Sequence, residues 1–152
     1  MTALLTESKN QREAFRPARE ADGAKPLVLV VEDHEDTSFL LSYLLAQRGC
    51  RMAEAKNGED AVRLAVETRP DLILMDVSLP RLDGLAAAWR MRQTPALRRV
   101  PIVFLSGYAE ASFRAEALAR GGDDYLVKPF ALGEIGRIIE RHLGRRVATE
   151  SK

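Results

Sequence analysis

The sequence predicts an α/β protein with a parallel sheet covered by helices on both faces. Three observations lead there. Short apolar runs at Leu27 to Val31, Leu72 to Met75, Ile102 to Leu105 and Tyr125 to Val127 lack the alternation of a half-exposed strand, and so read as strands buried on both sides. Between them, apolar residues recur at helical spacing, so that strand and helix alternate five times. The connections are too long for hairpins, which leaves right-handed parallel crossovers. No internal repeat or low-complexity tract interrupts the pattern.

Taken in order, residues 1–26 mix charges of both signs with Pro17, Gly23 and Pro26. They read as a flexible extension with room for a short helix near Lys9 to Phe15. Leu27 to Val31 is the first strand. Glu35 or Asp36 is placed to cap the first helix, whose stripe is Leu40, Leu41, Leu44 and Leu45 and whose end is Gly49. Arg51 to Ala55 is a short second strand. Asn57-Gly58 reads as a turn, and Ala61, Val62, Ala65 and Val66 mark a second helix that Pro70 stops. The third strand, Leu72 to Met75, runs into Asp76, and a loop with Pro80 leads to the Asp83-Gly84 turn. The third helix buries Leu85, Ala88, Trp89 and Met91, and Arg98-Arg99 is a solvated break. The fourth strand ends in Ser106-Gly107. Residues 110–120 are alanine-rich and helical, closed by Gly121-Gly122. Tyr125 to Val127 is the fifth strand, and Leu132, Ile135, Ile138, Ile139 and Leu143 form the stripe of the last helix. A short polar tail, 144–152, follows.

The bulk composition narrows the function. A chain of 152 residues makes one domain with a real core. Its net charge of +1 gives no reason to expect nucleic acid or an acidic polymer as a bulk partner. A lone cysteine, Cys50, excludes an internal disulfide and fits a reducing compartment; it reads as a small residue at a strand start. No apolar run is long enough to span a membrane, and the N-terminus lacks the apolar core of a signal peptide. A soluble, cytoplasmic protein is expected, without membrane partners.

The chemistry gathers at strand ends. Glu32, Asp33, Asp76, Ser106 and Lys128 all fall at predicted carboxyl ends, where open parallel sheets bind ligands. One acid after a strand is an ordinary turn residue, but five polar residues of matching chemistry at four strand ends are hard to explain as turns. Clustered carboxylates need a cation, and oxygen ligands without a histidine or cysteine cluster favour Mg²⁺ or Mn²⁺. Lys128 supplies a point charge for a phosphoryl group and Ser106 a hydroxyl. Asp76 is the one acid presented centrally, and so is the candidate nucleophile for an acyl phosphate.

At these residues the chain closely resembles the receiver domain of two-component response regulators, over roughly Leu27 to Leu143. The motifs stand in order: Val31-Glu32-Asp33; Met75-Asp76 with Pro80 and Asp83-Gly84; Leu105-Ser106-Gly107; and Gly122-Asp123-Asp124-Tyr125-Leu126-Val127-Lys128-Pro129-Phe130. The resemblance implies a flavodoxin-like, doubly wound five-stranded sheet in the order 2-1-3-4-5 with five helices. The receiver domain would span 27–143. Asp76 would accept a phosphoryl group from a sensor histidine kinase or histidine phosphotransfer protein. Asp33, Asp76 and the backbone carbonyl of Ser78 would bind Mg²⁺ directly, and Glu32 through water. Lys128 would hold a phosphoryl oxygen, with its bond to Pro129 cis. Ser106 would swing toward the phosphoryl group and Tyr125 turn inward behind it, a coupled movement that would reshape the face of the fourth helix, fifth strand and fifth helix. A downstream protein would read that face, or the phosphoryl group would pass on in a phosphorelay; homodimerisation through the fourth and fifth helices stays open. Such a protein is no enzyme beyond promoting its own phosphorylation and dephosphorylation.

The chain departs from the commonest pattern at three places. The acidic pair is Glu32-Asp33 where two aspartates are frequent, and Ser106 stands where threonine is common. Tyr108, two residues on, takes a position that the resemblance turns toward the phosphoryl group. With Gly107 and Pro129 it is a candidate modulator of the phosphorylated state. No output domain fits after Leu143, so a stand-alone receiver is expected. Two other classes compete. A receiver-shaped interaction module independent of phosphate would have no reason to keep Asp33, Asp76, Ser106 and Lys128 together. A Mg²⁺-dependent hydrolase or transferase would carry a second acid two residues after the nucleophile, where Ser78 stands. The bland readings are a solvated surface for His34 and His142, with His34 at the rim of the cup at most, packing for Trp89, solvated charge for Arg145-Arg146, and turn shaping for Asp123 and Asp124.

Overall fold

In the computed structural model, residues 25–144 are described. The expected N-terminal extension with its Lys9–Phe15 helix, Arg145-Arg146 and the polar tail after Gly144 lie outside the described residues. The elements are β1 (Leu27–Val31), α1 (Glu35–Gln47), β2 (Arg51–Ala55), α2 (Gly58–Thr68), β3 (Leu72–Asp76), α3 (Gly84–Arg92), a 3₁₀ turn (Pro95–Leu97), β4 (Ile102–Ser106), α4 (Ala111–Ala119), β5 (Asp124–Val127) and α5 (Leu132–Leu143). All strand pairs are parallel, as the alternation of strand and helix predicts, and their order is β2-β1-β3-β4-β5, as the resemblance implies.

The unbroken apolar runs of β1, β3 and β4 are explained by two cores. Side chains alternate across the sheet. Leu29, Val31, Ile73, Met75, Ile102 and Phe104 meet α2, α3 and α4 on one face. Val28, Val30, Leu72, Leu74, Val103 and Leu105 meet α1 and α5 on the other. Every residue of these three strands is therefore buried. Their rigid burial fixes the level at which each chain leaves the sheet. Among the described residues no helix is long and apolar enough to cross a membrane.

Several local expectations are corrected. His34, not Glu35 or Asp36, takes the cap position of α1; the two acids sit in the first turn, where the helix dipole favours them. Asn57-Gly58 is no free turn but the start of α2, with Asn57 Oδ1 accepting from the Asp60 N–H at 2.8 Å. Gly58 is required there by close approach: a Cβ would lie 1.8 Å from the Leu82 carbonyl oxygen. The buried stripe of α3 is Gly84, Ala87, Ala88 and Met91, one residue out of phase with the expected one, so Trp89 is 54% exposed. Leu132 is half-exposed in the first turn of α5, and the packed stripe begins at Ile135. Asp123 and Asp124 do more than shape a turn. Asp123 pairs with Arg92 and accepts from the Ile102 N–H. Asp124 pairs with Arg141 and His142, so His142 is mostly buried and not solvated. Arg98 and Arg99 are exposed, as anticipated, and Cys50 is buried just before β2.

Candidate functional site

Strand order reverses between β1 and β3, which opens a crevice at the carboxyl edge of the sheet. The register places Val31 beside Met75 and Asp76 beside Leu105, with Ser106 beside Val127. The residues that leave these strands therefore converge. Glu32 and Asp33 follow β1, Asp76 ends β3, Ser106 ends β4, and Lys128 follows β5.

Lys128 bridges the acids. Its Nζ lies 3.1 Å from Glu32 Oε1 and 3.2 Å from Asp76 Oδ2. Asp76 Oδ1 also accepts from the Ser78 backbone N–H at 3.1 Å, so the carboxylate is held from two sides. Glu32 is fully buried, and its Oε2 accepts from the His34 backbone N–H at 3.1 Å. The His34 ring reaches the same oxygen at 2.9 Å and Asp33 Oδ1 at 3.3 Å. Both Glu32 oxygens are thus engaged, Oε1 by Lys128 and Oε2 by His34.

The environment sets the charges apart. Burial pushes the Asp76 carboxyl up, and the Glu32 charge pushes it further, against the pull of Lys128. Burial also works to raise Glu32, but His34 and Lys128 outweigh it and hold Glu32 below the ordinary carboxylate range. Burial would lower Lys128, but Asp76 and Glu32 prevail and raise it. His34 is raised by Glu32 and Asp33.

Behind the cup runs a second line of contacts. Ser106 is buried, and its Oγ accepts from the Tyr108 N–H at 3.0 Å. The Tyr108 carbonyl in turn accepts from the Tyr125 hydroxyl at 2.6 Å. Tyr125 therefore already points inward. The Tyr108 ring is half-exposed and leans on Phe113, centroids 4.7 Å apart. Around Gly107 the space is open, and a Cβ there would meet nothing within 4 Å. The Lys128–Pro129 peptide is cis.

Three carboxylates gather in the cup; Lys128 reaches Glu32 and Asp76, and among the described residues Asp33 faces only the His34 ring. Atoms of Glu32, Asp33, His34 and Asp76 that can ligate a metal all lie within 4.8 Å of one another. This donor set fits a hard divalent cation. Sequence reasoning leaves His34 at the rim. Its signal is its place directly after the acidic pair, where a short turn returns the ring over both acids.

A doubly wound sheet with an acidic cup and a lysine at its switch point defines the class, and the sequence relationships name the family. Residues 28–140 match the response regulator receiver domain, and the chain belongs to that family, part of two-component signalling. The chain is similar to the transcriptional regulatory protein PrrA of Mycobacterium leprae, at 39% identity over 126 residues, covering 83% of this chain and 53% of the relative. It is also similar to the phosphate regulon regulator PhoB of Rhizobium meliloti, at 38% identity, covering 79% and 53%. The chain thus spans about half the length of these curated relatives. Among solved structures, the receiver domain of the sensor histidine kinase PA1611 from Pseudomonas aeruginosa, with a magnesium ion coordinated in its active-site cleft, aligns with a TM-score of 0.74 at 39% identity. That alignment covers 80% of this chain and 99% of the other. The chemotaxis protein CheY4 of Vibrio cholerae aligns with a TM-score of 0.74 at 27% identity, covering 78% and 99%.

Proposed function

We propose that the cup is a phosphoryl-acceptor site and that Asp76 carries the phosphoryl group. An Asp76 oxygen attacks the phosphorus of a phosphohistidine on a sensor kinase or phosphotransfer protein. The P–N bond breaks, the imidazole leaves, and an acyl phosphate forms. The observation that carries this reading is the position of Asp76, clamped by the Ser78 N–H on one oxygen and by Lys128 on the other. Lys128 is then placed to hold an oxygen of the incoming group. Asp33, Asp76 and the Ser78 carbonyl, with Glu32 through water, would hold Mg²⁺ or Mn²⁺, which supplies positive charge to the transferring oxygens.

The readout follows the contacts behind the cup. Ser106 gives its hydroxyl to the phosphoryl group and releases the Tyr108 N–H, which shifts the carbonyl that Tyr125 holds. Tyr125 lines a groove of about 210 Å³ between α4, β5 and α5, with Arg114, Arg137 and Arg141 around it. A downstream protein or a second phosphotransfer partner reads that face. The protein works as a switch, and its only chemistry is gaining and losing its own phosphoryl group.

Intact mass after incubation with acetyl phosphate tests the acceptor reading. A single phosphoryl adduct is expected with Mg²⁺ and none with chelator. No adduct, together with no Mg²⁺ binding by calorimetry, would replace this reading with a phosphate-independent interaction module.

Tyr108 sets the lifetime of the phosphorylated state in this scheme, its ring shielding the acyl phosphate from water. Tyr108→Ala is expected to hydrolyse faster than wild type when phosphate release is followed after removal of the donor. An unchanged or slower rate would assign the ring to packing on Phe113 alone.

A further inference from the structure

We infer that His34 is a cation-selecting residue of the cup: its imidazole joins the carboxylates of Asp33 and Asp76 as a nitrogen donor, with Glu32 acting through water, and tilts the site from Mg²⁺ toward Mn²⁺, Co²⁺ and Ni²⁺. The inference rests on the reading of the cup as a divalent-cation site and names which cations it favours.

The geometry comes first. His34 Nδ1 stands 2.9 Å from Glu32 Oε2 and 3.3 Å from Asp33 Oδ1. With Asp76 included, the four ligating atoms lie within 4.8 Å of one another. Two ligands on opposite sides of an ion with bonds of about 2.1 Å sit about 4.2 Å apart, so small side-chain adjustments bring the Asp33, His34 and Asp76 atoms to one ion, with Glu32 one water further out. The ring is free to make its share of that adjustment. The side chain is 70% exposed, while the backbone N–H of the same residue stays tied to Glu32 at 3.1 Å. The backbone is anchored and the ring can turn.

The chemistry decides between ions. Mg²⁺ takes oxygen ligands, keeps several waters and gains little from an imidazole. Along Mn²⁺, Co²⁺ and Ni²⁺ the gain from a nitrogen ligand grows. A cup made of carboxylates alone would not single out the later metals so strongly. An imidazole that is only a hydrogen-bond partner of Glu32 would weaken or strengthen every cation alike, because its effect would pass through the acid's charge. An imidazole that ligates acts on the later metals selectively.

Calorimetric titration of the full chain with MgCl₂, MnCl₂ and NiCl₂, each alone, separates these cases for wild type and His34→Ala. Competition of Mg²⁺ against bound Ni²⁺ identifies the shared site and sets aside any Ni²⁺ held at His142. In wild type, affinity is expected to rise from Mg²⁺ through Mn²⁺ to Ni²⁺, with Mg²⁺ displacing the tight Ni²⁺. In His34→Ala the Ni²⁺-to-Mg²⁺ affinity ratio falls by about tenfold or more. A ratio that stays the same in the variant, with Mg²⁺ still bound, overturns the role of His34 alone. Wild type that binds no Mg²⁺ overturns the cation reading of the cup and this inference with it. The ring's exposure makes loss of folding in His34→Ala unexpected, and an unchanged melting temperature verifies that.

Discussion

Asp76→Asn is expected to abolish the phosphoryl adduct while melting no lower than wild type, and higher than wild type at neutral pH without divalent ions. The first half follows from the nucleophile. An amide oxygen carries no negative charge, and no other carboxylate is held between Lys128 and the Ser78 N–H. The second half follows from the cost of that position. Asp76 is buried next to Glu32, and its carboxyl is raised by both. A group whose folded pKa is raised contributes stability below its unfolded pKa and loses that contribution as pH rises through the folded one. At neutral pH the ionised Asp76 therefore weighs against folding. Asparagine removes the charge, keeps an oxygen for the Ser78 N–H, and leaves Lys128 its contact with Glu32 at 3.1 Å. The gap between variant and wild type should narrow as pH falls toward the ordinary carboxylate range. Intact mass and melting curves across pH check both halves. A residual adduct would move the acceptor elsewhere, and a lower melting temperature would mean that the Lys128 contact outweighs the burial.

Functional positions of this kind leave a mark in the sequence because they break its local logic. Apolar runs that end in charge, at Glu32, Asp76 and Lys128, are legible as strand ends, since a buried strand cannot hold a charge within it. The five-fold alternation then points to a parallel sheet, and every observed strand pair is parallel; the strand order itself comes only with the family resemblance. The convergence of Glu32, Asp33, Asp76, Ser106 and Lys128 is legible for the same reason: each sits at or just beyond the end of a paired register.

What the sequence hides depends on phase and on distance along the chain. The stripe of α3 falls one residue away from its expected place because alanines fill it, and small residues at 86, 87 and 88 carry almost no phase information. Trp89, the largest apolar side chain nearby, enters the expected stripe on size alone. His34 is hidden differently. A lone histidine after two acids looks solvated, and it is largely exposed; only the turn that brings its ring back over Glu32 and Asp33 gives it chemistry. Asp124 and His142 meet across 18 positions, and nothing local in either stretch announces the pair.

Arg92→Ala is expected to be the most destabilising change of a charged residue outside the cup, by about 3 kcal/mol. In the sequence Arg92 is one more basic residue in the last turn of a helix, the ordinary solvated choice. In the structure its side chain is 16% exposed and every arm of the guanidinium is used. Nε donates to the Gly121 carbonyl at 3.0 Å. Nη1 donates to the carbonyls of Leu97 at 2.9 Å and Val100 at 2.8 Å, and Nη2 to Asp123 Oδ2 at 2.7 Å. One side chain thus ties the end of α3, the 3₁₀ turn, the approach to β4 and the loop into β5. Asp123 extends the tie by accepting from the Ile102 N–H at 2.9 Å.

Removing Arg92 leaves carbonyls without a donor where water has poor access. Hydrogen bonds to a charged group contribute about 1.5–3 kcal/mol each, and the half-exposed Asp123 calls for a discount toward the lower end. A loss of about 3 kcal/mol corresponds to a fall in melting temperature of about 10 °C for a chain of this size. Arg92→Lys should recover less than half of it, because a single ammonium cannot reach acceptors placed in three directions. The comparison that isolates the effect is Arg63→Ala, which removes exposed pairs with Asp60 and Glu67 and should cost far less, because such pairs are screened by water. Equal losses at Arg92 and Arg63 in urea titrations would reduce the Arg92 network to surface charge. Full recovery by lysine would reduce it to charge alone, without the directional bonds. Because Arg92 anchors the loop that feeds β5, and Lys128 leaves the far end of β5, a loosened Arg92→Ala protein should also accept the phosphoryl group more slowly than its remaining folded fraction accounts for.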